Sequence, residues 1–110
     1  MLNSINLLGR LVKDPELKTT NSGTSVCTFT IAVDRNTKER ETDFFDCVSY
    51  RTTAEFISRY FSKGSLIAIS GRLQTRSFET KEGQKRKVYE VIANDVSFAG
   101  SKNDSAPETS

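Results

Sequence analysis

The chain has 110 residues, 35% hydrophobic and 27% charged, with 16 Lys and Arg against 14 Asp and Glu. That suits one domain able to bury its own core, and no apolar run reaches the ~20 residues of a membrane span. Histidine is absent, which removes the commonest general base, the Ser/His and Cys/His nucleophile pairs, and His-containing zinc sites.

The N-terminus lacks a signal-peptide pattern. Ile5, Leu7, Gly9 and Leu11 share one parity, while Leu8 and Val12 occupy the other. This predicts a first strand that is apolar on both faces, ended by Lys13-Asp14-Pro15. Thr19 to Ser25 is turn material around Gly23. In the second predicted strand Cys27, Phe29, Ile31 and Val33 point inward, with Thr28, Thr30 and Asp34 outward. A charged connection over Asn36–Thr42 leads to a third strand, Asp43–Tyr50. There Phe44, Asp46, Val48 and Tyr50 share one face, and Phe45, Cys47 and Ser49 the other. The two cysteines, Cys27 and Cys47, read as small core residues of a protein from a reducing compartment.

Thr52 and Glu55 have capping-box spacing for one helix, with Phe56, Ile57, Tyr60 and Phe61 at helical repeats that read as inward core packing, and Gly64 placed to end it. Ser65–Leu73 predicts a fourth strand with Ile67, Ile69 and Leu73 inward. A hairpin follows, turning at Glu82-Gly83. Its second arm, from Val88 through Val96 and Phe98, is the fifth strand. Ser101–Ser110 has no periodicity and reads as a disordered tail after a domain of residues 1–100. Five strands, with one helix between the third and fourth, give the order of an OB-fold, an all-β Greek-key barrel that takes oligonucleotides or oligosaccharides.

The hairpin carries the clearest chemical signal. Gly71–Val91 holds Arg72, Arg76, Lys81, Lys85, Arg86 and Lys87 against Glu79, Glu82 and Glu90, so this segment is more basic than the chain's net +2. Parity puts Arg72, Gln74, Arg76 and Phe78 together, near Phe44 and Tyr50 of the third predicted strand. Aromatics inside a basic groove suit single-stranded nucleic acid, since every base has a face to stack and each stack contributes about 1–3 kcal/mol. The candidate stacking residues are therefore Phe44, Tyr50 and Phe78. The candidate backbone contacts are Arg72, Arg76, Lys85, Arg86 and Lys87. Neither a GxxxxGK nor a GxGxxG run occurs, and no catalytic carboxylate pair, metal set or cofactor motif stands out, so a binding module is preferred to an enzyme. An RNA-binding OB-fold, and an oligomeric or carbohydrate-binding barrel, remain as alternatives. The first would be told by a reader of the two-prime hydroxyl, the second by salt-insensitive binding.

LLGRLVKDPELK, TIAVDR, TDFFDCVSYRTTAEF and YFSKGSLIAISGRLQTRSFE run in the expected strand order. On these motifs, spanning about residues 2 to 100, the chain resembles the bacterial-type single-stranded DNA-binding protein family. The resemblance implies sequence-independent wrapping of single-stranded DNA in replication, recombination and repair. It implies a homotetramer of OB-folds, with a dimer as the smaller alternative, in the bacterial cytosol or nucleoid or from a phage, with no membrane partner. It also assigns the family's stacking aromatics to Phe44, Tyr50 and Phe78. Three departures stand out. Thr37 lies where many relatives have tryptophan, Asp46 lies where a basic residue is familiar, and no acidic tip for recruiting replication proteins ends the chain.

Overall fold

The computed structural model describes residues 1–39 and 41–99. The expected tail, and with it the domain boundary at residue 100, lies outside the described residues. In chain order the elements are β1 (Ile5–Leu11), β2 (Glu16–Thr19), β3 (Ser25–Asp34), β4 (Thr42–Tyr50), α1 (Arg51–Tyr60), β5 (Leu66–Glu79) and β6 (Lys85–Phe98). The sheet runs β1-β5-β6-β4-β3-β2, and a further β1–β3 pairing closes five of the strands into a ring. This is the expected barrel, with the third predicted strand appearing as β4.

The sixth strand, β2, was not expected. Glu16–Thr19 is exposed throughout and has no apolar alternation to announce it. It is a strand because β3 has an edge to spare. Arg10 and Leu11 pair with Ala32 and Ile31, and after the Lys13-Asp14-Pro15 break Glu16 to Thr19 resume along the same edge, opposite Thr28 to Ser25. The β2–β3 and β5–β6 turns are built alike. Thr20 and Thr80 each donate a backbone N–H four residues on, to Thr24 and Gln84, and accept from Gly23 and Gly83. Those glycines take φ of +88° and +84°, a left-handed conformation that side chains resist.

Inward parity makes the core. Leu11, Cys27, Phe29, Ile31, Cys47, Ile67, Ile69, Val91 and Ala93 are buried together, with Ala54, Ile57 and Phe61 from the helix side. Cys27 and Cys47 are unpaired. Burial pushes the Cys27 thiol up to about 11, and burial, then the nearby Asp46 charge, pushes that of Cys47 up to about 12. Both therefore stay protonated as apolar filling. Two inward expectations need correction. Leu73 is 38% exposed, because β5 has left the barrel by that point, and Tyr60 is 54% exposed beside Phe98.

The helix begins without the expected cap. Its N-cap is Tyr50, with no side-chain cap hydrogen bond, so Thr52 already lies inside the first turn. Glu55 instead accepts a hydrogen bond from Ser25 Oγ at 2.9 Å. The strand feeds the helix without a loop, and Arg51 takes φ of +61° to make the corner, a conformation that costs a non-glycine residue about 1–2 kcal/mol. Phe61, in an extended conformation, is the C-cap. Gly64, expected there, sits in the following turn and donates its N–H to Leu11 O at 2.8 Å. Phe61 stacks on Phe98 with centroids 4.8 Å apart, pinning the end of β6 to the helix.

Two glycines set the barrel's corners. A Cβ on Gly9 would lie 2.5 Å from Ala32 O, and one on Gly71 only 1.7 Å from Ile92 O. At Gly71 the β5–β6 register jumps from Ser70↔Asp95 to Gly71↔Ala93, leaving Asn94 as the extra residue of a bulge. Gly71→Ala should therefore force the two strands apart and lower stability by about 1–3 kcal/mol or more, read as a shifted denaturant midpoint. The parent midpoint would mean that β6 can yield at the bulge.

Candidate nucleic-acid interface

The β4–β6 and β5–β6 registers settle which side chains share the barrel's outer face. Val48 pairs with Ile92. Ile92 pairs with Arg72, Glu90 with Gln74, Val88 with Arg76, and Arg86 with Phe78. Alternation from Val48 adds Tyr50, Asp46 and Phe44 to the same face. β3 adds Thr28, Thr30 and Ala32, which pair with Val48, Asp46 and Phe44. Val48 and Ile92 are buried at 6% and 3% exposure, so they form an apolar floor outside the main core. Around it Phe44, Tyr50 and Phe78 stand exposed at 66%, 41% and 44%. All three expected stacking residues thus lie on one continuous face.

The charges on this face are partly committed. Arg76 Nε lies 3.4 Å from Glu90 Oε2, and Arg72 Nη2 donates to Gln74 Oε1 at 3.2 Å. Arg86 has no carboxylate within ion-pair distance among the described residues. Asp46 accepts from Thr30 Oγ1 at 3.1 Å, which fixes a negative charge between Phe44 and Tyr50. Arg35, from the TIAVDR motif, donates to both oxygens of Asp43 at 2.9 Å and lies 2.6 Å from Glu41. The hydrogen bond from Arg35 holds the Asp43 carboxyl below the usual carboxylate range. Arg35 is therefore a clasp on the β3–β4 connection rather than a free cation. Thr37 lies on that same connection and is exposed.

Lys85 and Lys87 are not on the outer face. They pair with Glu79 and Ser77, and Tyr89 pairs with Thr75, all at the opposite parity from Phe78 and Arg86. Inside the barrel this parity points to the core, as at Cys47 and Val91. Beyond the barrel it becomes a second solvent face of the projecting hairpin. Sequence parity was sufficient to separate Lys85 and Lys87 from Arg86. Their closeness along the chain masks the split, and no local pattern in the sequence marks Tyr89, which the structure exposes.

No group of three or more metal-ligating side chains occurs among the described residues, and no described helix is long and apolar enough to cross a membrane.

The model of the single-strand binding protein family matches residues 2–99. "Single-stranded DNA-binding protein 1" of Staphylococcus aureus (strain Mu50) is 50% identical over 107 residues, covering 94% of this chain and 69% of the relative. "Single-stranded DNA-binding protein A" of Bacillus subtilis (strain 168) is 49% identical, with 94% and 62% covered.

The site and the core use opposite parities, so they should separate by mutation. Phe44→Ala and Phe78→Ala should leave the melting temperature within a few degrees of the parent, since neither ring fills the core. Phe29→Ala, which empties a buried site, should cost about 3–5 kcal/mol. Comparable losses for all three in thermal melts would assign the outer rings to packing.

Proposed function

As the chain belongs to the single-strand binding protein family, we propose that it binds single-stranded DNA without regard to sequence and without catalysis. Bases stack on Phe44, Tyr50 and Phe78, while Arg72, Arg76, Lys85, Arg86 and Lys87 meet phosphates. The observation that carries this reading is the gathering of three exposed rings on one outer face beside the arginines of the hairpin. Such a surface grips unpaired bases by their faces, so it discriminates single strand from duplex and not one base from another. Protection of single strands during replication, recombination and repair, in the cytoplasm or nucleoid, follows as the setting.

The functional form is a homo-oligomer, a tetramer in the fullest version. Leu8 is 53% exposed on the outer side of β1, where it lines a shallow depression with Asn6, Ala68 and Ser70. A leucine there is better placed against a second copy than in water. Static light scattering at micromolar concentration should give a multiple of the 12.3 kDa chain mass. A monomeric mass would leave Leu8 as an isolated surface residue.

Binding itself is tested by equilibrium titration with poly(dT) and with duplex DNA at several salt concentrations. Poly(dT) should bind far more tightly. Its log–log salt slope should be about −0.7 per neutralised phosphate. Phe44→Ala, Tyr50→Ala and Phe78→Ala should each weaken binding by about 1–3 kcal/mol per base unstacked, and Asp46→Arg should strengthen it by removing a fixed negative charge from the face. Equal affinity for duplex and single strand at physiological salt would falsify the stacking reading.

A further inference from the structure

We infer that the second face of the hairpin is itself a binding surface for single-stranded DNA, with Tyr89 as a fourth base-stacking residue flanked by Lys87 and Lys85. This rests on the proposed function and extends it to a face that the outer-surface aromatics do not reach. The first observation is Tyr89 itself. The residue is 60% exposed, more than Phe78 at 44%. Its cross-strand partner is Thr75, and the next position on this face pairs Lys87 with Ser77, so small polar side chains leave the ring uncovered. Tyr60, the other strongly exposed tyrosine, has ring neighbours in Phe56 at 5.1 Å and Phe98 at 6.3 Å. Tyr89 has no aromatic neighbour among the described residues.

The second observation is the division of charge between the faces. On the outer face, Arg76 is already engaged by Glu90 and Arg72 by Gln74. The lysines stand on the other side, where Glu79, opposite Lys85, is the single acid on that side of the ladder between Leu73 and Lys85. A strand confined to the outer face would meet Arg86 and neither lysine. Side chains two apart on a strand lie about 7 Å from one another, the scale of one nucleotide, so a base on Tyr89 leaves an adjacent phosphate within reach of Lys87. An aromatic ring next to two ammonium groups is matched by the charge and planar bases of a polyanion, and poorly matched by an apolar protein surface. The path of the DNA therefore passes around the hairpin, from Phe78 and Arg86 on one face to Tyr89 and Lys87 on the other.

The test compares the full chain with Tyr89→Ala, Tyr89→Phe and Lys87→Gln. Labelled dT oligomers are titrated at two lengths, one near the lower and one beyond the upper end of the ~4–16 nucleotides that an OB-fold covers. Tyr89→Ala should weaken binding of the long oligomer by about 5- to 150-fold, the loss of one stacked base. The short oligomer, which can settle on the outer face alone, should lose much less. Tyr89→Phe should restore affinity to within about twofold, because the ring and not the hydroxyl does the stacking. Lys87→Gln should flatten the salt slope for the long oligomer by about 0.7. It keeps the inference open to refutation even if Tyr89→Ala fails to fold. If the parent chain binds dT while neither affinity nor slope changes in the variants, the inference is overturned together with the phosphate contact of Lys87, and the site of Phe44, Tyr50, Phe78 and the arginines on the outer face stands. It is overturned equally if Tyr89→Ala alters the mass in light scattering but not the affinity, which would make Tyr89 a subunit contact. If the parent chain does not bind dT, the proposed function itself fails.

Discussion

The Ile92 carbonyl oxygen lies 1.7 Å from where a side chain on residue 71 would begin. That single close approach lets two strands of 14 residues do two jobs. On one side of the bulge, β5 pairs with β1 and with the end of β6, and its Ile67 and Ile69 fill the core. On the other side, β5 and β6 pair with each other as a hairpin whose far residues no longer cover anything. Closing the ring demands a sharp change of direction here, and a bulge supplies the bend by adding one residue to one strand. Gly9 performs the related task where β1 changes partner from β5 to β3. The short echo between LLGRL and ISGRL is thus a likeness of local demand. In each, a glycine sits where backbone meets backbone, followed by an outward arginine.

The projecting hairpin then fixes the electrostatics. A basic segment packed flat on a barrel would present one row of cations and bury its other parity. Lifted off the barrel, the same alternation presents two rows, one led by Arg86 and the other by Lys87 and Lys85. Elsewhere the strongest charge pairing is internal. Arg35 is held by Asp43 and Glu41, and Asp14 Oδ1 accepts the Lys63 backbone N–H at 2.8 Å, which ties the loop after α1 to the end of β1. Cations outside the hairpin thus serve partly to hold connections, while those on it are largely left to solvent.

Alternation made most of this legible in the sequence. Cys27, Phe29 and Ile31 announced the inner face of β3, and Phe44, Asp46, Val48 and Tyr50 the outer face of β4, because a half-buried strand writes its two environments at period two. What escaped depended on partners rather than on pattern. β2 is a strand only because β3 offers its edge. Thr52 and Glu55 have the spacing of a cap, but the left-handed turn at Arg51 starts the helix before they can form one. Leu73 has the right parity for the core and lies beyond the point where there is a core to enter. The same limit hid the second face of the hairpin, since parity tells which residues share a side and not whether that side is covered.

Separation of the two parities also explains how exposed rings are tolerated. An outward aromatic on a barrel strand costs the fold little, because the inner face is completed by its neighbours of opposite parity, Phe45 packed against the core next to Phe44 and Ser49 buried next to Tyr50. The buried pair Val48 and Ile92 stiffens the outer face without using a ring, so the aromatics around it are spared from packing duty. Affinity can then be altered one residue at a time. A threonine at 37 or an aspartate at 46 changes what the surface offers a polyanion while leaving the closed ring, its bulge and its glycine corners as they are. A fold that places its stability at one parity and its chemistry at the other can lose a stacking contact without losing the barrel, and can gain one wherever a strand runs past the edge of its own core.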